Sequence, residues 1–383
     1  MKVAESIGKT MAKTYKHTYE RICDRDNIRA ALFAAAKGKR HKKPVQYALA
    51  HEDETVERIR EILVSRSDYL PSPRSAHEIN DGIKAKRRVI VHPSFTEQII
   101  DHCLIQIIGP HFASRFFRWS CGSIPGRGQE GMVKHLIAKV RKHQERVKYY
   151  AVLDVAKCFD TADADAVYKA VAKREADKDT LALIRYKLDA NAVRLSDGSV
   201  RKGGVPIGVF TSPWFANIAL DSVDKCFKDD GAVYLCVRFM DDIFVAHGNK
   251  RELKRAIDAA TRALAAFGLT WKTVPVIRKW AYGDIGKVRF CGVQFTRETM
   301  EVRDVVYLRA VRSVGRIAKK IAQRKRATWY DASKVISYGG RFAAFESWNA
   351  YRKKVLQGNV THVWARQKVS AHDKLKSRST KNV

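Results

Sequence analysis

The sequence predicts an α+β fold, with helices packed on one face of a mostly antiparallel sheet. Three observations predict it. Hydrophobic residues make up 45% of the 383 positions, enough to build real cores at a length that allows about two or three domains. Between about residue 149 and residue 296, apolar runs of strand length are interspersed with segments of helical periodicity. Within that stretch two apolar runs are separated only by Met240-Asp241-Asp242, the pattern of a hairpin.

The elements follow in order. Met1 to Pro44 is basic and Ala/Lys-rich, ends in Lys37, Lys39, Arg40, His41, Lys42 and Lys43, and reads as a mobile or RNA-facing arm. Tyr149 to Asp154 (YYAVLD) is an apolar strand ending in an acid, and Asp163 to Lys178 has helical periodicity. Thr211-Ser212-Pro213 sets hydroxyl caps before a proline suited to a first helical turn, which Trp214 to Phe227 continues. Val233 to Phe239 and Ile243 to His247 are the strands of the hairpin, with Met240 to Asp242 as its tight turn. Glu252 to Phe267 is an Ala-rich amphipathic helix stopped by Gly268. Lys287 to Thr296 (KVRFCGVQFT) alternates as one further strand, and Leu308 to Arg326 is a helical, one-signed basic stretch.

Charge narrows the function. Lys+Arg 73 against Asp+Glu 40 gives a net +33, which points to a large polyanionic partner. From Glu301 to Val383 there are 20 Lys/Arg and 5 Asp/Glu, so this end reads as a phosphate-tracking surface. The cysteines (Cys23, Cys103, Cys121, Cys158, Cys226, Cys236, Cys291) are odd in number and scattered, with no CxxC pair. That argues against a disulfide scaffold or zinc module and for a reducing compartment. The start, MKVAESIGKTMAKTYKHTYE, has no signal-peptide core, and the uncharged stretch Gly203 to Leu220 is broken by Gly204, Pro206, Gly208, Pro213 and Asn217. A cytoplasmic protein without membrane contact is therefore expected.

The chemistry lies in acids set among apolar residues. Asp154 ends a strand, and Asp241-Asp242 sits inside VRFMDDIFV. Burying unpaired carboxylates costs several kcal/mol each, so cations, either Arg/Lys or metal, are expected among them. Carboxylates converging from neighbouring strands suit two Mg²⁺ ions roughly 3.5–4 Å apart, the arrangement that phosphoryl transfer uses. Because neighbouring strand residues face opposite sides, Asp241 and Asp242 are not equivalent, and Asp154 and Asp241 are the expected direct ligands.

At these residues the sequence resembles reverse transcriptases. Phe239-Met240-Asp241-Asp242 is similar to the [YF]xDD box, and Asp154 to Phe159 to the DxxxxF motif. Gly204-Val-Pro-Ile-Gly-Val-Phe-Thr-Ser-Pro-Trp-Phe-Ala-Asn217 is similar to the PxG…TSxxxAN segment, in the same order and spacing. Lys86-Arg87-Arg88-Val89-Ile90 resembles the motif KxRxI, Cys121-Gly-Ser-Ile-Pro-Gly-Arg127 the GFxPGR-like motif, and Arg289-Phe290-Cys291-Gly292 the FLG turn. The resemblance spans about Lys84 to Thr296 and implies a right-hand polymerase fold. Residues 1–44 would then be an arm, 45–146 fingers, 147–300 an antiparallel-sheet palm with a fingers insertion at about 165–203, and 301–383 a helical basic thumb and tail.

It also implies roles. Asp154, Asp241 and Asp242 would be catalytic, with Asp154, Asp241 and Val155 as ligands of two Mg²⁺ ions, Mn²⁺ being the alternative ion. Lys86, Arg88 and Arg127 would meet the triphosphate. Phe159 would exclude a 2′-hydroxyl, Gly208 would let the backbone approach nucleic acid, and Lys272 would protonate pyrophosphate. Partners would be template RNA, a primer or cDNA strand and dNTPs. Pro206-Ile207-Gly208 is closest to the IGxxxSQ signature of diversity-generating retroelement enzymes, which implies low fidelity and a small helical accessory protein. Pro213 departs from that signature's Gln, and Ile124 stands where many relatives have Arg. Two alternatives remain: a phage-defence or retron-like enzyme acting with a noncoding RNA, and a non-catalytic RNA-binding scaffold. A helix-turn-helix DNA binder fits the charge but not the acids.

Overall fold

The computed structural model describes residues 15–66, 75–81, 86–190, 193–194, 200–201, 205–228, 233–280, 287–323 and 325–379. Helices α1 (Thr18–Ile22), α2 (Arg25–Ala36), α3 (Lys43–Ala50) and α4 (Glu52–Ser65) come first. The antiparallel ribbon of β1 (Ser75–Asp81) and β2 (Lys86–His92) follows, then α5 (Phe95–Ala113), β3 (Ser120–Cys121), α6 (Gln129–Lys142) and β4 (Tyr149–Asp154). After α7 (Cys158–Thr161), α8 (Ala164–Ala172) and α9 (Lys178–Asp189) comes the short pair β5 (Val193–Arg194) and β6 (Val200–Arg201). Next are α10 (Ser212–Lys228), the hairpin of β7 (Leu235–Phe239) and β8 (Asp242–His247), and α11 (Lys250–Ala265). The chain continues with β9 (Arg278–Lys279), β10 (Val288–Phe290), β11 (Val293–Phe295) and β12 (Met300–Val302). It ends with α12 (Asp304–Ala322), α13 (Trp329–Ala344), α14 (Trp348–Ala350) and α15 (His362–Ser379). The mixture of helices and sheet is the expected α+β class.

Two units are formed, one by Met1–Gly128 with Ala151–Ile277, the other by Gln129–Tyr150 with Arg278–Val383. In the first, the strands run in the order β3-β7-β8-β4. The pair β7/β8 is antiparallel, whereas β3 joins β7 in parallel through Ser120↔Arg238 and Cys121↔Phe239. Helix α10 underlies this sheet's chemistry: Trp214, Phe215, Ile218, Val223 and Phe227 are buried, and so are Asn217, Asp221 and Asp224. A second set of buried charges ties α9 to α5, where Lys187 Nζ lies 2.7 Å from Asp101 and 3.4 Å from Glu97. In the second unit β10, β11 and β12 form an antiparallel meander, and Tyr149 and Tyr150 pair with Lys279 and Arg278. Thr328 and Asp331 close a capping box that starts α13. Among the described residues no helix is long and apolar enough to cross a membrane.

Four expectations change. From Tyr15 onward the arm expected at 1–44 is folded, with Ile22, Ile28 and Leu32 of α1 and α2 fully buried; residues 1–14 lie outside the described ones. The helix expected from Asp163 to Lys178 ends at Ala172, and α9 begins only at Lys178, where Asp177 caps it by accepting from the amides of Asp179 and Thr180. The strand expected over Lys287 to Thr296 is a hairpin, turned by Cys291 and Gly292 at φ 43° and 77°, the two positive values that a two-residue turn of type I′ takes. The buried hydroxyls of Thr211 and Ser212 have no hydrogen-bond partner among the described residues. The Thr211 carbonyl instead starts α10, accepting from Trp214 N at 3.0 Å and Phe215 N at 3.1 Å.

Candidate active site

The site grows from the ends of two neighbouring strands. Phe239 pairs with Asp242, so the hairpin turn is Met240-Asp241 and Asp242 already belongs to β8. Met240 has φ 54°, the left-handed value that a turn this tight demands of one residue. Asp241 is therefore presented by a turn and Asp242 by a strand, a sharper difference than face alternation alone predicts. The amide of Val155, one residue past Asp154, donates to the Asp241 carbonyl at 3.1 Å. That bond sets the first acid beside the second. All three acids, Asp154, Asp241 and Asp242, are partly buried, and Val155 is buried at 1% exposure.

Lys272 completes this corner. Val155 bridges to Trp271, the Lys272 amide donates to the Asp154 carbonyl at 2.8 Å, and the Lys272 ammonium forms an ion pair with the Asp154 carboxylate. The Lys272 pKa is raised above 10.5, first by the hydrogen bond to Asp154, then against a desolvation cost by the charges of Asp154, Asp242 and Asp241. One ammonium thus answers three acids. Carboxylate oxygens are the donors Mg²⁺ takes, so Asp154 and Asp241 suit a divalent cation in kind. Among the described residues no three His, Cys, Asp or Glu side chains are already arranged as a metal site. Lys272 contacts the Asp154 carboxylate through Oδ2.

Beneath the turn lies a network that hydrophobic patterning alone misses. Arg238 is fully buried in β7. Its Nε and Nη2 donate to Asp224 at 2.8 and 2.7 Å, and its Nη1 donates to Asn217 Oδ1 at 2.8 Å and to the Met240 carbonyl at 3.1 Å. Asp224 also accepts from the Ser120 hydroxyl at 2.6 Å, and the Asn217 amide group donates to the Gly122 carbonyl at 3.1 Å. The sequence signal was the i, i+7 spacing of Asn217 and Asp224, which sets both on one face of α10. Gly122, at φ 97°, lies under Met240: a Cβ there would be 2.7 Å from Met240 Cγ.

The residues expected to meet the nucleotide divide. Lys86 and Arg88 lie in β2, with their side chains outside the described structure. Gly204 lies outside the described residues too. Phe159, on α7, is partly buried, and its carbonyl accepts from Val205 N at 2.9 Å. The Ile207 carbonyl accepts from Val91 N of β2 at 2.8 Å. Gly208 has φ 106°, and a Cβ there would come within 2.1 Å of the Val91 carbonyl oxygen. The positive φ and the close approach of the protein's own strand thus already require glycine at this position. Arg127 has partners within the protein. Its guanidinium donates to the carbonyls of Ala113 at 2.6 Å, Phe117 at 2.9 Å and Phe116 at 3.3 Å, closing the C-terminal end of α5.

Comparison with known proteins agrees with this geometry. Residues 77–274 match the family model described as "Reverse transcriptase (RNA-dependent DNA polymerase)", an interval that contains all three acids, Arg238 and Lys272. The nuclear intron maturase 1, mitochondrial, of Arabidopsis thaliana is 27% identical over 151 residues, 38% of this chain and 21% of that protein. The chain thus spans about a fifth of that relative's length. Among solved structures, apo telomerase from Candida tropicalis truncated from its C-terminal domain aligns with a TM-score of 0.47 at 15% identity, over 64% of this chain and 59% of that one. The telomerase of the same organism in complex with a TWJ fragment of telomeric RNA gives 0.46 at 16%, over 60% and 44%. With more than half of its length matched by the family model, and the acids of that interval brought together at adjoining strand ends, the chain belongs to the reverse transcriptase (RNA-dependent DNA polymerase) family.

Proposed function

We propose that the protein is an RNA-directed DNA polymerase that extends a primer with dNTPs on an RNA template. The observation that carries the proposal is the bond from Val155 N to the Asp241 carbonyl, which joins the ends of the two acid-bearing segments. Asp154 and Asp241, with the Val155 carbonyl, would hold two Mg²⁺ ions, or Mn²⁺, and Asp242 supports them from β8. Bound there, the ions activate the primer hydroxyl and stabilise the leaving pyrophosphate. Lys272, paired with Asp154, would be the proton donor for the leaving group. Phe159 would guard the sugar, and Lys86 and Arg88 would meet the triphosphate. Arg127 is left to its α5 cap. Residues 45–146, 147–300 with the insertion at 165–203, and 301–383 take the parts of fingers, palm and thumb in a right-hand polymerase fold.

Magnesium-dependent extension of a primer on RNA tests the assignment. The wild type is expected to extend, and Asp241→Ala is expected to lose about 10³-fold or more in rate while retaining RNA affinity. Equal extension by the variant would sink the reading. The finer assignment is an error-prone enzyme of the diversity-generating type, working in a ribonucleoprotein with an accessory protein. It rests on Ile207, an aliphatic residue where related enzymes carry a polar one. Sequenced cDNA should show fewer errors for Ile207→Gln than for the wild type, and equal error spectra would remove that part.

A further inference from the structure

We propose that Arg238 is a positioning residue for the reaction: from inside the protein it fixes the turn that presents Asp241, and Asn217 and Asp224 exist to hold Arg238. The turn is fastened at each side. Met240 N donates to the Cys121 carbonyl at 3.0 Å, and the Met240 carbonyl accepts from Arg238 at 3.1 Å. The next carbonyl, that of Asp241, accepts from Val155 N at 3.1 Å. Of these three bonds only that from Arg238 comes from a side chain, and that side chain has no exposed surface.

The chemistry explains why arginine is used. A guanidinium is planar, with five N–H donors in a fixed fork. Here one edge of the fork is bidentate on Asp224, and Nη1 is divided between Asn217 and the Met240 carbonyl. Asp224 is in turn fixed by Ser120, and Asn217 by the Gly122 carbonyl. A charge pair buried this deeply is no economy for stability alone, because an apolar pair of similar volume is often as good or better. What such a pair supplies is direction. The fork aims one N–H at one carbonyl, two residues along the chain, and displacing catalytic groups by about 1 Å costs on the order of 10²-fold in rate. A lysine keeps the charge and loses the fork.

The kinetic side of this inference rests on the polymerase reading, so the test pairs kinetics with a measurement that does not. Arg238→Lys, Arg238→Met and the double variant Arg238→Met/Asp224→Leu are compared with wild type. The readouts are thermal midpoint, kcat and KM for dNTP, and hydrogen exchange of the peptide spanning residues 236–247. For Arg238→Lys the expected result is a fall in kcat of about 10- to 100-fold, little change in KM, and faster exchange confined to that peptide. The double variant, freed of a buried unpaired charge, is expected to regain its thermal midpoint but not kcat. Wild-type kcat per folded molecule in Arg238→Lys, restored kcat in the double variant, or unaltered exchange at the hairpin would each overturn the proposal. A wild-type chain without polymerase activity would defeat the functional reading alone, since exchange still decides whether Arg238 holds the turn.

Discussion

Lys272 pairs with the Asp154 carboxylate, for which the proposed metal ion would compete. Removing the ammonium therefore has two opposed effects. In Lys272→Met the concentration of Mg²⁺ giving half-maximal extension should fall several-fold, because the competitor is gone, while kcat falls by about 10- to 100-fold with loss of the proton donor. A magnesium titration of primer extension checks both, and a rise in the magnesium requirement would mean that Lys272 supports the ion instead of competing with it. The sign with pH follows from the raised pKa. A lysine whose folded-state value lies above 10.5 contributes its stabilisation fully below 10.5 and loses it as pH rises through the folded value. The pair is thus intact over the whole neutral range, and pH changes there do not relieve the competition.

At the scale of elements, the contact of β2 with the 205–210 segment sets the terms. Gly208→Ala would put a methyl group against the Val91 carbonyl oxygen at a φ of 106°, so strand and segment must separate. Loss of about 2 kcal/mol or more is expected, measured as a lower denaturation midpoint, together with weaker primer extension. A variant as stable as wild type would show that the segment moves freely. How far the elements were legible also depends on local chemistry. The acid-bearing hairpin could be read because apolar runs of strand length stand on both sides of Met240-Asp241-Asp242. The turn at Cys291-Gly292 shows in the periodicity only as a shift of the apolar positions from Val288 and Phe290 to Val293 and Phe295, and cysteine gives no warning of positive φ. The break before α9 was readable in principle from Asp177 and Thr180, a cap and its recipient three residues on. Arg127 and Arg238 were opaque for one shared reason. An arginine's partners here are carbonyls and a helix face distant in sequence, and hydrophobic pattern carries no record of them. The three acids needed no such record, because their apolar flanks are their immediate neighbours.

Over the whole molecule the net charge is +33. RNA affinity should therefore fall steeply with salt, with a log–log slope steeper than about −4 for six or more phosphate contacts, and Asp241→Ala should share that slope. A flat salt response would place recognition in base contacts instead of the basic surface. The same whole-molecule view gives the bond from Val91 to Ile207 a consequence for breeding new enzymes. The strand that carries Lys86 and Arg88 and the segment that carries Ile207 are joined by a main-chain bond from Val91 to Ile207. If Lys86 and Arg88 meet the nucleotide and Ile207 sets accuracy as proposed, substitutions in β2 near Val91 are expected to change both the KM for dNTP and the error frequency of the cDNA.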